Sequence, residues 1–253
     1  MPGLMVIGAL VVTNVPGRAD SGADVIDRAR AQAARVVDKS MRVTMRTGGA
    51  GKGGLSRTLR GYEKQTPEGR KILWIFESPV ELAGTSFLAW QRPDGPQQLW
   101  VYFPAQRRVR QVADQLRRER FQGSSFTYED FTTIFYFDYG GSHRLDGERP
   151  CDGGTCWVVE STLEPGRYAY GRLVTWLRQD TYLPTRIEFY DTDLAKVVRV
   201  LRTAVVGDIP TVTAMEADSA PDHEHTVVEY DDVRCNTGLG DDLFSLDNLT
   251  HGK

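Results

Sequence analysis

Few residues in this chain are of types that do chemistry, and their spacing decides how each one reads. Asp222 precedes His223-Glu224-His225, and on a strand the two imidazoles would point the same way. A metal needs further ligands, and no third one lies nearby in sequence, so no metal is assigned. His143 stands alone. Glu129 and Asp130 are adjacent in Phe126-Thr127-Tyr128-Glu129-Asp130-Phe131, which reads as a helical turn capped by Ser124 or Ser125. Neighbours on a helix point about 100° apart, so these two carboxylates do not make an acid–base pair. They are read as structural, fixing the loop against the sheet edge. Gly48–Gly54 (GGAGKGG) lacks the Gly-Lys-Ser/Thr close and the following helix of a phosphate-binding loop, and reads as a flexible hairpin connection. With no nucleophile elbow and no His-Glu-x-x-His, no catalytic residue and no cofactor are assigned.

Two other groupings have a physical reading. Arg107, Arg108, Arg110, Arg117, Arg118 and Arg120 form the densest basic run. It is a solvated strand edge and loop, or else a contact for phosphate head groups or an acidic surface, which predicts salt-sensitive binding. Cys151 and Cys156 flank Asp152-Gly153-Gly154-Thr155, a turn-rich segment that reads as a hairpin tip. Strand pairing there would bring the Cβ atoms within disulfide reach. Free thiols and a zinc pair are the alternatives, and zinc would need two more ligands where Cys235 is the only other thiol. Cys235 is then left over as a small buried side chain.

The elements that would position such residues follow from composition and pattern. The chain has 253 residues, 40% hydrophobic and 26% charged, with 31 basic and 34 acidic side chains, four His and three Cys. This ordinary globular composition argues against a disordered, collagen-like or multi-spanning chain. A formal charge of −3 gives no electrostatic reason to expect nucleic acid. The run Leu4–Val12 is far shorter than the roughly 20 residues of a spanning helix. With small residues at Gly17 and Ala19 it reads as a signal peptide over residues 1–19, although no basic residue precedes it. A buried N-terminal strand is the alternative. Residues 20–253 show no linker and read as one exported domain.

Asp24–Lys39 predicts an amphipathic helix, with Val25, Ile26, Ala29, Ala33, Val36 and Val37 on one stripe. Beyond it come short strand-like runs between turn signals. The first six are Met41–Arg46, Leu55–Lys64, Lys71–Glu77, Ser86–Gln91, Gln97–Phe103 and Arg108–Val112. His143–Glu148, Trp157–Leu163, Arg172–Arg178, Arg186–Tyr190, Lys196–Leu201, Thr211–Ala217 and Thr226–Asp231 follow. Without intervening helices this predicts an antiparallel meander. Some strands have one wet face: Ile187 and Phe189 alternate with Arg186 and Glu188, and Val197 and Leu201 flank Arg199. Others are apolar on both faces, as in Ile72–Phe76, Phe87–Trp90 and Leu99–Phe103, and must be covered twice. Pattern alone leaves a filled barrel or sandwich and a partly open sheet as alternatives.

The order of segments resembles the LolA-like outer-membrane lipoprotein-sorting protein family. The likeness runs through the helix ADVIDRARAQAARVVDK, LAGTSFLAW (82–90), LWVYFPAQRRVRQV (99–112) and GSSFTYEDF (123–131). It continues through YLPTRIEFYD (182–191), IPTVTAMEA (209–217) and HTVVEYDDVRCNTGLGDDLFSLDNL (225–249). The resemblance implies a mainly β (α+β) fold: a single strongly curved antiparallel, unclosed half-barrel with helices across its concave face. It implies a periplasmic, monomeric carrier, not an enzyme, whose apolar cavity holds the acyl chains of lipoproteins or lipids, with an inner-membrane exporter as a possible partner. A module that docks an exporter without cargo and a hydrolase of exported substrates are the rivals. On this view Leu73, Ile75, Phe87, Ala89, Leu99, Val101, Trp157, Val159, Ile187 and Phe189 line the cavity. Phe126, Phe131 and Ile134 turn inwards as a lid over its mouth. Where both strand faces are apolar, a one-residue slip reverses the choice of face. The five Trp, ten Tyr and ten Phe then supply dry surface for a lipid tail.

Overall fold

A computed structural model describes residues 21–48, 54–92, 97–113, 118–133, 136–166, 168–221 and 223–251. The signal-peptide expectation for residues 1–19, the lid residue Ile134, Arg117 and Asp222 fall outside them.

The chain opens on helix α1 (Gly22–Ala33). Ser21 caps it in a reciprocal box with Asp24: the Asp24 N–H donates to the Ser21 hydroxyl at 3.2 Å, and the Ser21 N–H donates to the Asp24 carboxylate at 2.8 Å. Val25, Ile26 and Ala29 are buried as the stripe requires. The helix stops well before the expected Lys39. The Asn236 amide captures the chain there, accepting from the Val37 N–H at 2.8 Å and donating to the Arg35 carbonyl at 2.9 Å. That tie draws Val36 and Val37 out of the helix, and Val37 is left 51% exposed.

Strands β1 (Asp38–Thr47), β2 (Leu55–Thr66), β3 (Gly69–Ser78), β4 (Ser86–Gln91), β5 (Gln98–Phe103) and β6 (Arg108–Gln111) form one meander. A second runs through β7 (Ser142–Cys151), β8 (Gly154–Thr162), β9 (Arg172–Arg178) and β10 (Pro184–Tyr190). It ends with β11 (Leu194–Val206), β12 (Ile209–Ser219) and β13 (His225–Cys235). Each of the strand segments expected from the sequence coincides with one of these strands, with Gln97, Val112 and Leu163 falling just outside β5, β6 and β8. β13 pairs with β1, which joins the meanders into a single antiparallel sheet of 13 strands, with β6 at one edge and β7 at the other. The sheet is not closed. One buried cluster nonetheless unites Val101 on β5 with Val159 on β8, far apart in strand order, so the sheet curls around a common interior.

The open topology forces one consequence. Because β6 and β7 are opposite edges, the connection between them must cross the whole width of the sheet. At about 4.8 Å per strand that width is roughly 58 Å if laid flat. The crossing segment carries a short helix, α2 (Asp130–Thr133), and lies against the concave face. α1 packs on the same side against β7 and β8. A Cβ at Gly22 would sit 2.6 Å from the Arg144 backbone, so only glycine lets the helix approach this closely.

The convex face has its own cover. The turn Asp241–Phe244 and helix α3 (Leu246–His251) bury Phe244 and Leu249 against Leu73, Ile75 and Leu88. Asp38 anchors the start of this tail, accepting from the Thr237 N–H and the Gly238 N–H at 2.8 Å each, the Thr237 hydroxyl at 3.1 Å and the Leu239 N–H at 3.3 Å. Burial alone would raise this carboxyl, but the bonds to Thr237, Gly238 and Leu239 hold it below its ordinary value of 3.8. A depressed native value contributes stability above the unfolded value and loses it as pH falls through the native one. Asp38→Asn is therefore expected to lower the midpoint of thermal unfolding at pH 7, with the gap to wild type closing as pH falls below 3.8. Calorimetry across that range checks it.

The tip of the β7–β8 hairpin carries the Cys151–Cys156 disulfide, with Cα atoms 5.9 Å apart. Cys235 is a half-buried free thiol at the end of β13, and burial pushes its pKa up.

Candidate functional site

Strand register determines which side chains face the concave interior. Trp74 on β3 lies opposite Phe87 on β4, which lies opposite Val101 on β5; Ile72, Ala89 and Leu99 form the next such row. Directly opposed residues share a face, so these six form one apolar wall. None of the ten residues expected to line the cavity borders the one beside α1, but Phe87, Ala89, Leu99 and Val101 belong to the interior cluster, as do Val159, Ile187 and Phe189, with Trp157 half-buried at its margin. Leu73 and Ile75 do not. They face the convex side under Phe244 and Leu249, and Ile72, Trp74 and Phe76 take the interior positions. The tail hidden in LGDDLFSLDNL supplies the second apolar cover, which is why β3 shows no alternation.

The crossing connection fills this wall with rings. Phe121 is the hub, with ring centroids 5.1 Å from Phe87, 5.6 Å from Trp74, 6.0 Å from Phe76 and 4.9 Å from Phe131. Phe131 also meets Trp74 at 4.3 Å and Phe126 at 5.0 Å, mostly edge to face, as aromatic quadrupoles prefer. Phe126 is fully buried. Beneath the rings a gap of about 20 Å³ remains between Phe121, Ile72 and Leu99. Beside them a partly open cavity of about 90 Å³ lies between α1 (Ala29, Ala33), Trp74, Phe131, Tyr136 and the β12 side chains Ile209 and Met215. That holds a few waters and no extended acyl chain.

Polar groups pin the connection at both ends. Thr127 caps α2, accepting from the Asp130 N–H at 3.2 Å while its own N–H donates to the Asp130 carboxylate at 2.6 Å. This corrects the expected cap: Ser124 bonds within its own turn, and Ser125 docks on β13, its N–H donating to the Thr226 hydroxyl at 2.9 Å. The Asp130 carboxylate pairs with the Lys196 ammonium of β11, and both side chains are buried. Asp130 therefore ties the loop to the interior of the sheet, not to its edge. Burial pulls the Lys196 pKa down and Asp130 opposes that pull. The rings of Phe189 and Tyr170 lie 4.8 and 4.9 Å from its Nζ. Glu129 accepts from the Ala169 N–H at 3.0 Å.

At the other end the Tyr136 hydroxyl donates to Glu63, which is also paired with Lys39 at 3.1 Å. Burial and the Glu63 charge raise the Tyr136 pKa well above its ordinary value. Arg30 donates to the Phe137 carbonyl at 2.9 Å. The sequence reading missed Lys196, Glu63 and Tyr136. Lys196 shares a strand face with buried Val198, and that parity was the available signal. The wet-face reading of Val197 and Leu201 hid it. Irregular pairing after Val200 breaks the alternation, leaving Val197 buried and Leu201 52% exposed.

The remaining candidates disperse. His223 lies in the turn before β13 with φ +56°, so it does not share a strand face with His225, whose ring is bonded to Asp218 at 2.8 Å. The arginine run is not one patch. Arg108 and Arg110 lie exposed on edge strand β6, while Arg118 reaches the Gly166 carbonyl and Arg120 the Ser219 hydroxyl, each at 3.0 Å.

A family model described as "-like: Uncharacterized protein" matches residues 68–251. No curated relative matches the chain. A DUF1329 family protein from Desulfovibrio piger is similar at 28% identity and a TM-score of 0.84, over 90% of this chain and 97% of that one. An outer membrane lipoprotein-sorting protein domain from Vibrio parahaemolyticus is similar at 25% identity and a TM-score of 0.81, over 89% and 97%. A LolA superfamily protein from Nitrosomonas europaea shares the fold at 18% identity and a TM-score of 0.73, over 91% and 100%. The chain therefore belongs to the family whose model spans residues 68–251, and that family is LolA-like in fold.

Proposed function

We propose that the protein is a periplasmic carrier that takes acyl chains of lipoproteins or lipids onto its concave face and moves them towards the outer membrane, without catalysing a reaction. The observation that carries this reading is the connection itself. A segment that must cross the open sheet places Phe121, Phe126 and Phe131 against an apolar wall that would otherwise face water. Those rings stand where an acyl chain would lie, and cargo enters as they lift. An acyl chain gains about 0.8 kcal/mol for each CH₂ removed from water, so a few exposed wall residues suffice for capture while the returning rings favour release. Likeness to a lipoprotein-sorting domain supports the same reading.

A second reading has one observation in its favour. Only about 90 Å³ is left free in the cavity between the chain's own side chains, which suits a module that docks a membrane exporter without cargo. Mass spectrometry of organic extracts from the purified protein separates the two. The carrier reading expects a stoichiometric lipid or acylated peptide. An empty protein that binds tightly to an exporter's periplasmic domain, and takes up no lipid when offered it, contradicts that reading.

A further inference from the structure

On the rim of the interior, next to the apolar cavity, lies a polar recess of about 340 Å³ lined by Arg30, Arg70 and Arg92, with Gln65, Gln91 and Asp138. The one carboxylate there, Asp138, is engaged by Arg30 at 3.6 Å, and Arg30 is also paired with Asp27 at 2.6 Å, so the recess holds no free carboxylate for Arg70 or Arg92. Arg70 is the unusual member. It is 6% exposed, its Nε–H is buried without a hydrogen-bond partner, and among the described residues no carboxylate pairs with it. Arg92 is exposed and likewise has no acidic partner among the described residues. Burying a charged group without a counter-ion is costly, so such a site is built for an anion that arrives from outside. Gly69, at φ +126°, makes the recess possible: a Cβ there would run into the Gln91 carbonyl and push the β2–β3 turn away from β4.

Recess and cavity share no lining residue but lie on neighbouring stretches of the same elements. Ala29, Glu63, Tyr136 and Phe137 line the cavity, while their near neighbours Arg30, Gln65 and Asp138 line the recess. The Arg70 guanidinium lies 3.2 Å from the Tyr136 ring centroid, so one tyrosine is shared as the wall between the two. The geometry points to a binding site for a phosphate-type anion in this recess, the head group of an anionic lipid whose acyl chains lie along the concave face once the aromatic rings have lifted. Guanidinium forks match phosphate oxygens in pairs, which gives the site a preference over neutral heads. The lipid part of this assignment rests on the carrier reading, whereas the anion site does not.

The test uses the full-length exported chain with three probes in calorimetric titrations: dioctanoyl phosphatidylglycerol, dioctanoylglycerol and glycerol 3-phosphate. Wild type is expected to bind the phospholipid at least tenfold more tightly than the neutral diacylglycerol. Arg92→Gln, at an exposed position that leaves the fold alone, and Arg70→Gln are each expected to remove that preference without weakening diacylglycerol binding. Binding of glycerol 3-phosphate alone, lost in both variants, while neither lipid binds, would keep the anion site and overturn the carrier reading. Equal binding of both lipids by wild type, or a preference untouched by the variants, would overturn the anion site and keep the carrier. No binding of any probe would overturn both.

Discussion

Lys196→Met is expected to destabilise the protein by about 3–5 kcal/mol, the usual cost of leaving one member of a buried ion pair alone. Methionine keeps most of the lysine's volume among Phe126, Tyr170 and Phe189, so the loss is electrostatic and not a cavity. The Asp130 carboxylate, buried and accepting from the Thr127 N–H, then loses its paired cation. Lys196→Met combined with Asp130→Leu removes both charges and is expected to recover much of the loss, because two desolvation penalties disappear with one attraction. Denaturant unfolding of the two single variants and the double variant measures the coupling. The pair also clamps the connection to β11. The Lys196→Met protein should therefore admit a fluorescent fatty acid faster than wild type, since local opening needs less free energy. A single variant as stable as wild type would show that the pair does not hold the connection down.

Phe126→Ser with Phe131→Ser is expected to act in the opposite sense on cargo. Phe126 is fully buried, Phe131 packs against it and edge-on against Trp74, and truncating one buried ring costs about 3–5 kcal/mol. The two rings touch, so their losses will not add fully. Affinity for a fluorescent fatty acid should fall because the rings, once lifted off the wall, close over the outer side of the bound acyl chain, and serine supplies no such surface. The rate of entry need not fall. Equilibrium fluorescence titration reads the affinity, and unchanged affinity in a variant that remains folded would remove these rings from the binding surface.

Much of the fold was legible because strand patterns are local. Alternation in Arg186–Tyr190 gave the correct inner face, with Ile187 and Phe189 buried, since Arg186 and Glu188 left no choice. The spacing of Cys151 and Cys156 gave the hairpin tip for the same reason. Ile72–Phe76 carried no such information. Either face of β3 would serve by composition, and only the distant Phe244 and Leu249 decide that Leu73 and Ile75 face outwards. The pins were hidden for a related reason. Lys196 and Asp130 are 66 residues apart, and an inward lysine in a strand reads as surface until its partner is placed. The early end of α1 likewise depends on Asn236, 199 residues beyond Val37. Long-range capture of this kind leaves no periodic trace in the segment it reshapes.

On the carrier reading, acyl cargo and the aromatic connection occupy the same concave face in turn. Ser125 and Thr226 allow a direct test, because their hydroxyl oxygens lie 3.1 Å apart across the contact between the connection and β13. Ser125→Cys with Thr226→Cys, once oxidised, fastens the connection to the sheet. The measurement is uptake of a fluorescent fatty acid by the oxidised variant, with reduced variant and reductant-treated wild type alongside. Oxidation is predicted to abolish uptake and reduction to restore it. Uptake by the oxidised protein at the wild-type rate and affinity would contradict the claim.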